Sequence, residues 1–162
     1  MSAPDAATRR SERAWQVLAE VADPEIPALS IRDLGIVRGV REGADGTLVV
    51  TLTPTYSGCP AIDAIMRDAS QALLAAGLGP LRVELQRAPA WSTDSISADG
   101  RTRLREYGIA APPRVARGAA SPSCPRCGST RTSELSAFGS TPCKALWRCR
   151  ACAEPFEWFK PL

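Results

Sequence analysis

Apolar positions set the first elements. Ala14, Val17, Leu18 and Val21 recur at helical spacing with Trp15 widening the face, so a helix is predicted from an N-cap at Ser11 to about Ala22. Residues 1–10 are small and polar and read as a mobile lead-in. Asp23-Pro24 ends the helix, because proline disfavours helical geometry in the residue before it. A short strand follows at about Gly35 to Arg41, with a hairpin turn at Asp45-Gly46 and a second strand, Thr47 to Thr53, carrying Leu48, Val50 and Leu52 on one face. Cys59-Pro60 opens a second helix whose buried stripe is Ile62, Ile65, Met66, Ala69 and Leu73. Leu81, Val83 and Leu85 then alternate with polar residues as a half-buried strand.

Helix, strand, strand, helix, strand implies an α+β domain in which a small three-stranded sheet is packed with helices. Trp91 to Tyr107 reads as a loop and a short helix carrying Leu104 and Tyr107. Residues 108–123 have no period and are rich in proline, alanine, glycine and serine, so they read as a linker. The expected organisation is a domain over 11–107, this linker, and a cysteine-rich, zinc-ribbon-like β domain over 124–162. Its strands are expected at Arg131 to Ala137, Ala145 to Arg148 and Pro155 to Phe159.

That last segment holds five of the six cysteines. Cys124-x-x-Cys127 and Cys149-x-x-Cys152 are two knuckles separated by 21 residues, just beyond the common zinc-ribbon spacing. Two such turns joined by a hairpin complete a tetrahedral site of four cysteines, and a segment of about forty residues needs such a staple to fold. Zinc suits the two-knuckle pattern best, with an iron–sulfur cluster as the alternative. Cys143 between the knuckles reads either as a packed hairpin residue or as an additional ligand. The chain has no histidine, which removes Ser-His-Asp and Cys-His nucleophile pairs and leaves sulfur and carboxylate oxygen as metal ligands.

Cys59 stands alone in Thr53-Pro54-Thr55-Tyr56-Ser57-Gly58-Cys59-Pro60, expected at a helix N-cap where backbone N–H groups favour a thiolate. It reads equally as a nucleophile, redox sensor or metal ligand and as an inert cap; Asp23 and Glu25, flanking a proline, form a second constellation able to bind metal or receive a proton, though such residues more often cap turns and face water. Twenty basic against seventeen acidic residues give a net charge of +3, too little to predict nucleic-acid or membrane binding by itself. No stretch approaches the roughly 18 apolar residues of a membrane span, and the N-terminus lacks a signal-peptide pattern, so a cytoplasmic location is expected.

The segments Asp23 to Pro27, Ile31 to Val37 and Thr53 to Pro60 together resemble the small domain of SufT-type iron–sulfur maturation factors. Continuing through Ala90-Trp91-Ser92-Thr93-Asp94, Tyr107 to Pro113, and the tail Phe138 to Cys152 with Glu154-Pro155-Phe156, the chain resembles the D subunits of bacterial phenylacetyl-CoA ring 1,2-epoxidase systems. It departs from that pattern at Ser95, where a tryptophan is common, and at its Phe159 to Leu162 end. The resemblance implies an accessory subunit in aerobic phenylacetate catabolism. Oxygen chemistry would belong to a separate di-iron subunit and electron supply to a reductase, and one of these would be the partner whose iron or iron–sulfur centre is matured. Cys59 would be a transient ligand for iron or a cluster, supported by Asp23, Glu25 and Thr55, in a homodimer where two such thiols meet. Two other readings compete. In a nucleic-acid-binding ribbon, Arg114, Arg117, Arg126, Arg131, Lys144, Arg148 and Arg150 would supply charge and Trp147 and Trp158 stacking. In a thiol enzyme, Cys59 would be activated by helix position alone.

Overall fold

The computed structural model describes residues 5–113 and 121–162. The chain divides into two units after Trp91.

In the first unit, helix α1 (Ala6–Leu18) precedes strands β1 (Val37–Glu42) and β2 (Leu48–Leu52), helix α2 (Ile62–Ala75) and strand β3 (Leu81–Leu85). The sheet order is β1-β2-β3, antiparallel between β1 and β2 and parallel between β2 and β3. The parallel pair needs a crossover, which α2 supplies. Strand β2 is central, and Leu48, Val49, Val50 and Leu52 are all buried. Helix α1 packs on β1 and α2, and α2 packs on β3 through Ile65, Ala69 and Leu73. Ile62 and Met66, expected in that stripe, are only half-buried at its margin.

Helix α1 starts earlier than its apolar spacing suggests. Asp5, not Ser11, is the N-cap, its carboxylate accepting the Thr8 N–H at 2.7 Å. Residues 5–9 face solvent, so the hydrophobic pattern is silent there. Arg10, expected in a mobile lead-in, instead donates to Glu42 Oε1 at 3.0 Å and to the carbonyls of Gly46, Leu78 and Pro80 at 2.7, 2.9 and 3.0 Å. The helix also ends at Leu18 rather than Ala22, as the chain turns so that Ala22 bridges Ser30 and Asp23 N–H donates to the Leu29 carbonyl at 2.8 Å. Trp91 closes the unit, its indole N–H donating to the Leu34 carbonyl at 2.7 Å.

The second unit begins with a 3-10 turn at Thr93–Ser95 and helix α3 (Ala98–Glu106), which Ser97 caps by accepting the Gly100 N–H at 2.9 Å. Leu104 is buried there, whereas Tyr107 at the helix end is exposed. Strands β4 (Ile109–Ala110), β5 (Thr132–Ser136), β6 (Lys144–Cys149) and β7 (Pro155–Phe159) form one sheet in the order β4-β7-β6-β5. Ile109 and Ala110 pair in parallel with Glu157 and Trp158, so the segment expected to be a linker from residue 108 contributes a strand, and residues 92–107 belong with the ribbon. Two residues are too short for any periodic signal. The core of the ribbon comprises Ala110, Ala145, Trp147, Phe156 and Trp158 beside Cys124 and Cys149. No helix among the described residues is long and apolar enough to cross a membrane.

Candidate functional site

The two knuckles are built alike. In the first, Cys124 N–H donates to the Ser129 carbonyl and Gly128 N–H to the Cys124 carbonyl, both at 2.9 Å, which folds the chain into a tight turn carrying both cysteines. In the second, the amides of Ala151 and Cys152 donate to Cys149 Sγ at 3.3 and 3.5 Å. The residue after each second cysteine takes a left-handed backbone, Gly128 at φ 74° and Ala153 at φ 63°. Strand β6 delivers Cys149 into the core, opposite Thr132 of β5.

These elements bring Cys124, Cys127, Cys149 and Cys152 together with all four sulfurs within 4.8 Å of one another. Cys124 and Cys152 sulfurs lie 3.8 Å apart, and those of Cys127 and Cys149 lie 3.6 Å apart. A tetrahedral ion with metal–sulfur bonds of about 2.3 Å has sulfur–sulfur edges of about 3.8 Å, so the donor set fits a single ion. Cys124 and Cys149 are buried, and Cys127 and Cys152 face solvent.

Local hydrogen bonds divide the thiols. The Cys152 N–H, reinforced by the Ala151 N–H and by neighbouring sulfurs and opposed by desolvation, holds the Cys149 thiol down at about 6. Cys152 receives the Glu154 N–H, which lowers its value, but desolvation and the sulfurs of Cys127, Cys149 and Cys124 outweigh it and push the thiol up to about 12. Four crowded thiolates repel one another, and a cation resolves that repulsion while displacing protons.

Cys143 stands apart from the four. It is buried in the β5–β6 hairpin with its sulfur 3.0 Å from Thr141 Oγ1, and its carbonyl accepts the Lys160 N–H at 3.0 Å. Next to it, Lys144 is buried and pairs with Glu157 at 3.0 Å, while the Ser140 N–H donates to the same carboxylate. Sequence reasoning places Lys144 on a basic surface. Nothing local reveals its burial, which depends on Gly139 and the hairpin loop closing against it.

The Cys59 loop differs from expectation in one respect. Helix α2 has Ala61 as its N-cap with no side-chain cap, so Cys59 lies two residues before the cap. Its N–H donates to the Tyr56 carbonyl at 3.2 Å, its carbonyl accepts the Ile62 N–H at 3.3 Å, and its side chain is buried. Gly58 before it has φ 80°, a conformation that glycine adopts without cost. Thr55 is half-buried in the same loop. Thr53, at its head, is fully buried with a hydroxyl that has no hydrogen-bond partner among the described residues; lying at a strand end, it gives no signal in the apolar pattern. Asp23 is buried and accepts the Glu25 and Ile26 N–H groups, each at 2.8 Å, so its carboxylate organises the Asp23 to Pro27 turn. Among the described residues, Asp23, Glu25 and Cys59 do not converge into a metal-ligating group as the four tail cysteines do.

Comparison with known proteins separates the same two parts. Residues 11–84 match the iron–sulfur cluster assembly protein family, and residues 110–160 match the PaaD zinc β-ribbon domain. An Escherichia coli K12 protein, provisionally named as the D subunit of a 1,2-phenylacetyl-CoA epoxidase, is 48% identical over 149 residues, spanning 90% of each chain. An iron–sulfur protein maturation auxiliary factor of Porphyromonas gingivalis W83 is 36% identical over 90 residues, 55% of this chain and 85% of that one. A solved domain of unknown function, DUF59, from Bacillus anthracis superposes with a TM-score of 0.56 at 26% identity, covering 60% of this chain and 93% of that one. With an assembly-type α+β domain followed by a four-cysteine ribbon, and 48% identity to the Escherichia coli relative over 90% of each chain, the chain belongs to the PaaD family of phenylacetyl-CoA epoxidase D subunits.

Proposed function

We propose that this protein is an accessory subunit of a phenylacetyl-CoA 1,2-epoxidase system, assisting iron or iron–sulfur maturation of its oxygenase or reductase. The observation that carries this reading is the joining of the two parts in one chain, an arrangement shared over 90% of the length with the Escherichia coli relative. The similarity of the first part to a maturation auxiliary factor supports the maturation role. Cys59 is the residue through which iron or a cluster would pass. Its burial in a loop organised by Gly58 would shield a labile ligand from solvent, and Thr53 and Thr55 would supply hydroxyls nearby in that loop. Asp23 acts by shaping the neighbouring turn.

The ribbon site is assigned to zinc in a structural role. Sulfur–sulfur separations of 3.6 and 3.8 Å support one ion, since a cluster spreads its thiolates around several irons. The nucleic-acid reading is disfavoured. Trp147 and Trp158 are buried with their rings edge-to-face at 5.5 Å, so neither presents a stacking surface, and Arg114 and Arg117 lie outside the described residues. The thiol-enzyme reading has no histidine base to draw on.

The test is Cys59→Ser in cells that depend on the epoxidase. The variant should keep its fold and ribbon metal yet lower whole-cell epoxidation and the iron content of the purified client. Unchanged epoxidation with a fully loaded client would remove Cys59 from the pathway.

A further inference from the structure

Charge is unevenly divided along the chain. Residues 1–91 carry nine Lys and Arg against eleven Asp and Glu, whereas residues 92–162 carry eleven against six. Part of the second unit's excess is neutralised in place: Lys144 pairs with Glu157, and Arg126 with Glu154 at 2.6 Å.

Arg131, Arg148 and Arg150 are different. Arg148 lies on β6 between Trp147 and Cys149, both of which point into the core, so by strand alternation it points outward. Arg150 is two residues further on. Arg131 lies across from Arg150, whose N–H donates to the Arg131 carbonyl at 2.8 Å. Thr132 pairs with Cys149 and Ser133 with Arg148, which fixes the register. All three arginines are exposed, and among the described residues none of their guanidinium groups has an ion pair or hydrogen bond. Arg131 and Arg150 thus face one another just beyond the paired residues of β5 and β6, where like charges oppose each other, and among the described residues no carboxylate forms an ion pair with either. An arrangement that costs the isolated chain stability invites a ligand that removes the cost.

We infer that the face formed by Arg131, Arg148 and Arg150 is a docking surface for a carboxylate-rich segment of a partner protein. Guanidinium groups pair with carboxylates through two parallel hydrogen bonds, and three of them grouped where β5 begins and β6 ends match a short run of Asp or Glu. A protein is favoured over a nucleic acid because the patch is compact and lacks an interleaved aromatic platform, both ribbon tryptophans being buried. This choice rests on the accessory-subunit reading. The test does not use Cys59, so failure here leaves the maturation assay standing.

A fluorescent, glutamate-rich peptide would be titrated into the full-length, metal-loaded protein at low salt, alongside a single-stranded DNA oligonucleotide. Three proteins would be compared: wild type, the triple variant Arg131→Gln, Arg148→Gln, Arg150→Gln, and Arg67→Glu as a charge control on α2. The peptide should bind wild type and the control alike, weaken by about tenfold in the triple variant, and weaken with added salt. Neutralising the mutually repelling arginines should leave the melting temperature equal or higher, with metal retention against a chelator unchanged. Tighter binding of the oligonucleotide than of the peptide would overturn the inference. So would equal peptide affinity in wild type and triple variant, or no binding at all. Faster metal loss in the triple variant would also overturn it, assigning the arginines to balancing the negative charge of the thiolate centre.

Discussion

Ala153 holds a backbone conformation that L-residues avoid. Its φ of 63° occupies the position that glycine takes in the first knuckle, where Gly128 has φ 74°. The left-handed region costs a residue with a Cβ about 1–2 kcal/mol, part of which glycine gives back through its freer unfolded chain. Ala153→Gly should therefore raise ribbon stability by about 0.5–1 kcal/mol without changing metal content, measured by thermal melts of the loaded protein. The converse applies at Gly58, where space is open around the missing Cβ and only the φ of 80° resists substitution. Gly58→Ala should cost about 1 kcal/mol and disturb the Cys59 loop, read as altered alkylation of that thiol beside a modest fall in melting temperature. In the sequence both positions look like ordinary small residues. Their φ values follow from turns that close only when the knuckle or helix they serve is formed, so residue type alone does not announce them.

Strand pairs and caps show the same division between local and tertiary information. The stripe of α2 is legible because it buries helically spaced residues, and Leu48, Val50 and Leu52 of β2 are legible by alternation, whereas the burial of Val49 between them follows from the strand's central place in the sheet. The start of α1 is not, since its first turn is polar and its anchor, Arg10, bonds to residues 32 to 70 positions away. Lys144 departs from expectation for a related reason. Its charge suggests surface, yet the hairpin loop covers it and Glu157 supplies the counter-charge. Desolvation raises the Glu157 carboxyl, but the Ser140 N–H and the Lys144 ammonium outweigh it and set the value below the ordinary 4.5. A carboxyl lowered by folding contributes stability that is present above its unfolded value and lost as pH falls through the folded one. Wild-type stability should thus decline as pH drops below about 4.5, and Glu157→Gln should flatten that part of the profile. The same variant leaves Lys144 buried without a counter-ion, costing about 2 kcal/mol at neutral pH after allowance for the partial exposure of Glu157. Chemical denaturation across a pH series measures both effects. An unchanged slope in the variant would assign the pH dependence to other carboxylates.

For the whole molecule the metal is the decisive variable. The ribbon's core cluster is two tryptophans, a phenylalanine and small residues around Cys124 and Cys149, with Phe159 and Ile109 also buried, and a core this small gains much from a bound ion. Structural thiolate sites contribute on the order of 10 kcal/mol of apparent folding free energy near neutral pH. Removing the ion with a strong chelator should therefore abolish the near-ultraviolet signal of the Trp147–Trp158 pair while leaving the helical signal of α1 and α2 largely in place. Single substitutions then separate ligands from bystanders. Cys149→Ser should lose the ion, because it removes the thiol whose two backbone N–H bonds already favour the anion. Cys143→Ser should retain it, because its sulfur meets Thr141 and lies outside the group of four. Metal and acid-labile sulfide measured on air-free preparations of wild type and both variants decide the chemistry together. One zinc per chain, lost only with Cys149, fixes the ribbon as a structural centre and leaves Cys59 to carry the maturation chemistry. Iron with matching sulfide, lost also with Cys143, would require the hairpin to open and bring a fifth thiol to a cluster, so the ribbon itself would become the carrier.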